Sequence, residues 1–198
     1  MRQTETAKII WMREAFDCFI NEVGGRDMSK ILIAYYSRKG QNYVNGSIKN
    51  LAKGNTERVA EFIQQTVGGD LFEIQTVKEY AVDYTQCTEE AKEELRAKAR
   101  PELKEYPDSL DSYDTIFLGY PNWWGTMPMA CYTFLEKYDL SGKTIIPFCT
   151  HEGSGMGGSE REIKKTCPEA VLKKGLPVHG AEAAESAAEV SAWAKGSI

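Results

Sequence analysis

The sequence predicts an α/β fold, a parallel sheet covered by helices on both faces. Short apolar runs alternate about five times with segments of helical periodicity along the chain. Parallel neighbours in a sheet need a crossover, and the crossover helix lands over one face of that sheet. The length of 198 residues, with 42% hydrophobic and 27% charged, suits one domain large enough to bury a core without disulfides or metals.

Residues 1–29 stand apart from this alternation as an N-terminal extension. Ile9, Met12, Phe16, Phe19, Ile20 and Val23 fall at helical spacing, and Gly24-Gly25 supplies a stop, which predicts an amphipathic helix. Arg13, Glu14 and Asp17 interrupt the apolar stretch, so neither a secretion signal nor a membrane span is expected. A helix this short is marginal alone in water, so it should dock on the domain, on a partner, or on a second copy to make a homodimer. Alternatively, Met28 just before "SKILIAYYS" is the ancestral start and residues 1–27 are peripheral. The domain proper is predicted over 30–198.

Within it, Ile31 to Tyr36 is an apolar run that reads as a buried strand. "NTERVAEFIQQTV" from Asn55 reads as a helix with Val59, Ala60, Phe62, Ile63 and Val67 on one side. "DLFEIQTV", Asp70 to Val77, alternates like a half-buried edge strand. "TEEAKEELRAKARPELK" predicts a charged surface helix with Ala91, Leu95 and Ala99 as its thin apolar line and Glu94 to Lys98 as an i,i+4 pair. "YDTIFLGYP" is the strongest buried-strand signal, and "MPMACYTFLEKY" follows as a helix. "KTIIPFCTHEG" reads as a fourth strand despite Pro147, which cannot donate to a ladder, and "SEREIKKTCPE" as a helix. "AVLKKGLPVHG" is a weaker strand pattern, and "AAESAAEVSAWAKG" closes the chain as a helix.

Composition excludes several functions. The net charge of −5 lacks the basic footprint of a nucleic-acid binder and leaves room for basic protein partners. Five scattered cysteines without C-x-x-C spacing do not suit a disulfide framework, so a reducing cytoplasm is expected. With two histidines and no Cys/His cluster, no zinc or iron site is predicted.

In a parallel sheet of this kind, ligands bind beyond the carboxyl ends of the strands. Three connections there are unusual. The first, from Ser37 to Gly54, far exceeds the usual strand-to-helix connection of about 2–6 residues. Ser37 at one end, and Gly54, Asn55 and Thr56 at the helix start, suit an oxyanion, because free N–H groups and the helix dipole favour negative charge there. The competing reading is an ordinary N-cap by Asn55 or Thr56. The absence of G-x-x-x-x-G-K-[ST] argues for a monophosphate rather than a triphosphate. Between the two ends, Ile48, Leu51 and Ala52 after Ser47 suggest a short helical turn, and Tyr43 could wall a ligand.

The second connection, "GYPNWWGTMP", places Trp123 and Trp124 in a Pro/Gly-bounded loop, where flat indoles suit a flat ligand or cover a helix base. In the third, "CTHEGSGMGGS", Gly153, Gly155 and Gly158 match G-x-G-x-x-G, but a dinucleotide site belongs to a first βα turn, and about forty residues remain after it. These glycines more plainly let backbone approach a ligand, with Thr150, His151, Gly153 and Ser154 offering hydrogen bonds. Cys149 and His151, two apart on a strand, do not readily meet as nucleophile and base, and "HEG" lacks the second histidine of H-E-x-x-H.

Taken together, "YYSRKGQNYVNGSIKNLAKGNTERVAEFI", "YDTIFLGYPNWWGTMP" and "PFCTHEGSGMGGS" resemble the flavodoxin family, in a bacterial branch with an enlarged phosphate loop. The resemblance runs from about Lys30 to the C-terminus. It implies a flavodoxin-like three-layer sandwich, a five-stranded sheet in the order 2-1-3-4-5, and FMN at the strand carboxyl ends. By position it implies Ser37, Asn55 and Thr56, with Lys39 and Tyr43, as phosphate-side ligands. Pro121, Asn122, Trp123, Trp124 and Gly125 then flank the flavin ring, and Thr150, His151, Gly153, Ser154 and Gly155 line its other side. No catalytic side chain is implied, since a flavin carries the electrons itself. The expected function is an FMN-binding electron-transfer protein whose redox protein partners dock at the exposed flavin edge. The alternatives are an FMN-dependent oxidoreductase using NAD(P)H and a quinone, and a flavodoxin-like interaction module that binds no FMN.

Overall fold

A computed structural model describes residues 30–198; the amphipathic helix read over the first residues lies outside them. Eight strands and five α-helices follow in order: β1 (Ile31–Tyr35), β2 (Gly40–Val44), β3 (Ser47–Leu51), α1 (Asn55–Val67), β4 (Asp70–Glu73), α2 (Tyr84–Ala97) and β5 (Thr115–Pro121). Then come α3 (Met129–Lys137), β6 (Thr144–His151), α4 (Ser159–Thr166), β7 (Val171–Leu172), β8 (Leu176–His179) and α5 (Ala187–Ser197).

The main sheet runs β4-β1-β5-β6-β7, with β8 also pairing β6, and all of these pairings are parallel. This is the expected 2-1-3-4-5 order with one correction: the fifth position is shared by two short strands. Pro147 sits at the break, since β7 pairs only as far as Ile145 and β8 begins opposite Phe148. A residue without an N–H is therefore accommodated inside a central strand.

Side chains alternate across the sheet and feed two cores. Ile31, Ile33 and Phe117 pack with Val59, Ala60 and Ile63 of α1 and with Val190 and Ala194 of α5. Leu32, Ala34, Ile116 and Leu118 pack on the other side with Ala130 and Phe134 of α3. Gly119 makes room for the tip of the Phe148 ring, because a Cβ there would fall 2.1 Å from its Cζ.

Three further expectations change. The second strand stops at Glu73 instead of continuing to Val77, and Thr76 bridges to Leu103 in the long connection after α2. Glu94 accepts a hydrogen bond from the Tyr80 hydroxyl at 2.5 Å, while Lys98 leaves the helix at φ 49°, so the expected Glu94–Lys98 pairing gives way to a helix end. The insertion after β1 is a β-hairpin rather than a helical turn. Asn45 and Gly46 have φ of 49° and 83°, as a two-residue type I′ turn requires, and Gly40 to Val44 pair with Leu51 to Ser47.

Candidate functional site

The carboxyl ends of β1, β5 and β6 open onto a cleft roofed by the hairpin. At its deep end α1 begins. Gly54 is the N-cap in an extended conformation, with no side chain capping the turn, so Asn55 and Thr56 are the first helical residues rather than caps. The capping role passes to Ser37, whose Oγ accepts from the Glu57 N–H at 3.1 Å. Gly54 makes this possible: a Cβ there would lie 2.1 Å from Ser37 Oγ and 2.8 Å from the Arg38 carbonyl. The Arg58 N–H bonds back to the Gly54 carbonyl, so the N–H groups of Asn55 and Thr56 have no acceptor within the helix. Thr56 is 1% exposed, and its hydroxyl is 2.8 Å from that of Thr150 on β6, tying the helix start to the sheet.

Two adjoining clefts share Arg38, Asn42, Tyr84, Asn122 and Trp123. The first, about 180 Å³, adds Asn55, Thr56, Thr150, His151, Glu152 and Ser154, with Tyr43 and Pro121 on its walls. The second, about 330 Å³, is closed by Cys87, Thr88, Ala91 and Trp124. Trp123 stands edge-on to Tyr36 and Tyr80, with ring centroids 5.2 and 5.1 Å away, which fixes its plane. Tyr43 of the hairpin stacks on Tyr84 of α2 at 6.3 Å. Trp124 is half exposed at φ 55°; its indole N–H donates to the Thr88 carbonyl at 2.8 Å, and Lys92 Nζ lies 4.8 Å from its ring.

The loops after β5 and β6 support each other from behind. Asn122 Nδ2 donates to the Gly155 carbonyl and its Oδ1 accepts from the Gly125 N–H. The Gly158 N–H bonds to the Gly125 carbonyl, and a Cβ on Gly157 would lie 2.4 Å from that oxygen. Thus Gly125 and Gly155 shape the cleft walls without lining them. The Gly153 N–H donates to His151 Nδ1, so that imidazole carries its proton on Nε2. Ser37 and Lys39 line neither cleft; they border an adjoining groove on the β4 side, with Glu57, Glu73 and Glu79.

Arg38, Asn42, Tyr84, Glu152 and Gly180 line the first cleft without having been singled out as ligands in the sequence. Arg38 and Asn42 lie in the insertion, and Tyr84 reaches the site from α2, which the charge pattern marks only as a surface helix. Glu152 is legible only as the second letter of "HEG", where it suggests a failed metal motif.

Charge in the cleft is sparse. Arg38 is the lone Lys or Arg among the lining residues, and its guanidinium is held by the carbonyls of Gln41, Ala81 and Val82. His151 is held below the ordinary histidine value of 6.5, by burial first and then by His179, against the pull of Glu152 and Glu182. Burial raises the Cys149 thiol well above its usual range and the Cys87 thiol to about 11, so neither is poised as a nucleophile. Among the described residues no His/Cys/Asp/Glu group could hold a metal ion, and no helix is long and apolar enough to cross a membrane.

A doubly wound parallel domain with a polar-and-aromatic cleft at its strand carboxyl ends is the class these observations define. The chain belongs to the flavodoxin family, whose pattern matches residues 30–196. It is similar to the solved structures of a protein assigned as a flavoprotein from Bacteroides eggerthii DSM 20697 and of another from Bacteroides uniformis ATCC 8492. Each is 32% identical with a TM-score of 0.67; they cover 85% and 84% of this chain and 98% of their own. A flavoprotein from Lactobacillus acidophilus NCFM, solved in complex with FMN, shares the fold at 20% identity and TM-score 0.57, over 79% of this chain and 97% of its own. No curated protein matches the chain.

The residues present fit FMN, the group that membership of this family implies. The α1 N-terminus offers the backbone N–H groups of Asn55 and Thr56 together with the Asn55 side-chain amide and the Thr56 hydroxyl, uncharged donors suited to a phosphate. The first cleft alone is smaller than the roughly 300–1,000 Å³ that ligand sites occupy, but the two together span a polar half and an aromatic-walled half.

Proposed function

We propose that the protein binds FMN across the joined clefts and acts as an electron-transfer flavoprotein in the cytoplasm. The observation that carries this reading is the continuity of the two clefts through Asn122 and Trp123: a set of uncharged donors at the start of α1 opens directly into an aromatic slot. Asn55 and Thr56 would hold the phosphate, Thr150 and Pro121 would border the ribityl chain, and Trp123, Tyr84 and the loop from His151 to Ser154 would orient the ring. Bound FMN would supply one- or two-electron chemistry, while the protein sets orientation and electrostatics. The half-exposed Trp124 borders the slot and leaves the ring edge within reach of a docking protein. The FMN complex of the Lactobacillus acidophilus flavoprotein adds support from a chain of the same fold.

The test is reconstitution. The purified full chain should take up FMN in equimolar amount, with quenched flavin fluorescence; a chain that stays colourless after added FMN sinks the reading in favour of an interaction module. Reconstituted protein should oxidise NAD(P)H with added quinone only slowly, because a carrier needs a separate reductase. Rapid turnover would replace the carrier with an FMN-dependent NAD(P)H:quinone-type oxidoreductase.

A further inference from the structure

The hairpin over the first cleft is tied firmly at its root and lightly at its tip. At the root, the Arg38 guanidinium donates to the carbonyls of Gln41, Ala81 and Val82, and the Gln41 side chain accepts from the Tyr84 N–H. Among the described residues, the turn Asn45-Gly46 makes a single hydrogen bond outside the hairpin. There the Asn45 N–H donates to Glu152 Oε2, in the loop after β6, at 3.0 Å. The carboxyl group is seated for this contact. A Cβ on Gly180 would lie 2.5 Å from Glu152 Oε1, so that oxygen occupies space only a glycine leaves open, and Oε2 is the one turned to the hairpin. In its seat Oε1 gains no hydrogen bond, and His179 Nε2 stands 4.0 Å from Oε2, beyond hydrogen-bond reach. The hairpin tip is thus the partner this side chain keeps.

We propose that Glu152 is a positioning residue that latches the hairpin over the cofactor, and that FMN enters and leaves by release of this latch. The inference rests on the FMN reading above. A two-stranded ribbon with Val44 as its buried residue has little stability of its own, so loss of the tip contact frees the strands beside the turn while the root stays tied. Those strands carry Asn42 and Tyr43, the hairpin's share of the first cleft. Glu152 also follows His151 in the loop that borders the cleft from β6, so one contact closes the hairpin and that loop together.

Neighbouring groups do not duplicate the latch. His151 has its Nδ1 engaged by the Gly153 N–H. Tyr84 meets the hairpin through its own N–H and through its ring against Tyr43, both short of the turn. A single hydrogen bond to a charged group is strong enough to bias the hairpin shut and weak enough to break when cofactor exchanges.

The experiment has two readouts on the full-length protein: hydrogen exchange of the apoprotein over residues 40–51, and release of bound FMN on dilution, followed by recovery of flavin fluorescence. Glu152→Gln keeps an acceptor for the Asn45 N–H, Glu152→Ala removes it, and Gly180→Ala keeps the acid but fills its seat. The hairpin amides of E152A and G180A should exchange about tenfold faster than those of wild type, and those of E152Q at the wild-type rate. Amides of β5 should exchange alike in all four proteins, which shows that the domain is intact. FMN should leave E152A about tenfold faster than it leaves E152Q. Equal hairpin exchange in E152A and E152Q, or equal FMN release from them, overturns the latch while leaving the FMN site standing. Faster exchange in β5 as well would make Glu152 a general stabiliser and also overturns it. If none of the four proteins takes up FMN, the FMN reading itself falls and the gating role falls with it, whatever the exchange pattern.

Discussion

Two pieces of β-structure meet at the cleft, and their sequences are built for different ends. In β5 every residue but the last is buried, and its register with β1 and β6 is continuous. In the β2–β3 hairpin Val44 alone is buried, and Tyr43 and Ile48 are 43% and 47% exposed. A two-stranded ribbon without a buried face has little stability of its own. What holds this one in place is polar and points at the site: Asn45 N–H to Glu152, the Gln41 side chain to the Tyr84 N–H, and Tyr43 stacked on Tyr84. The sheet supplies the free energy of the fold; the hairpin draws on that rigidity to close a cleft.

This division makes opposite predictions for the two pieces. Phe148→Ala should lower unfolding free energy by about 3–5 kcal/mol, because Phe148 is fully buried against the glycine seat at Gly119 and the space would not refill. Chemical denaturation measures this directly; a loss under about 1 kcal/mol would mean the sheet core is plastic. Excising Gly40 to Ala52 should do the reverse. The Arg38 carbonyl already packs against Gly54, so the ends can be rejoined with little rearrangement. Unfolding free energy should change by about 1 kcal/mol or less. FMN affinity, read by fluorescence quenching, should fall at least about a hundredfold, near 2.7 kcal/mol. Equal affinity would reduce the hairpin to a surface ornament.

The same contrast explains what could be read from the sequence. Strands buried on both faces are uninterrupted apolar runs, so β1, β5 and β6 were legible, and with them the three loops at their carboxyl ends. Asn55, Thr56, Asn122, Trp123, Thr150, His151 and Ser154 do converge on one cleft, because the topology forces those loops together. The hairpin is hidden because Ile48, Leu51 and Ala52 mimic a helical period, although Asn45-Gly46 carries the stronger turn signal. Lys39, which the resemblance implies by position, borders the β4-side groove. Tyr84 and Glu152 escaped notice because their roles depend on which side chains face one another across the cleft, and local pattern does not encode that.

Smaller effects sharpen the comparison at the cleft rim. Trp124 holds a left-handed backbone conformation that favours glycine, and its ties are one hydrogen bond to Thr88 and the Lys92 ammonium over its ring. Trp124→Gly relieves the backbone while losing both ties, terms of roughly 1 kcal/mol each that oppose one another. Stability should stay within about 1 kcal/mol of wild type. FMN affinity should drop by about two- to tenfold, the contribution of one aromatic wall. A large loss of stability would move Trp124 from the ligand-facing group to the structural one.

The weakest expected effect is on pH dependence, and it comes from His151. Its folded-state value is held below 6.5, chiefly by burial, so the unfolded chain binds its proton first as the solution is acidified. The sign follows: this residue leaves stability untouched above about pH 7.5 and lowers it as pH falls through 6.5, because protons favour the state that binds them more readily. His151→Asn keeps an acceptor for the Gly153 N–H and removes the titration. Urea midpoints of the apoprotein at about pH 7.5 and about pH 5.5 should therefore separate slightly more for wild type than for H151N. A larger separation in H151N would mean that the imidazole is stabilised as a cation by Glu152 and Glu182, and that the acid wall of the cleft is satisfied from within before any phosphate reaches it.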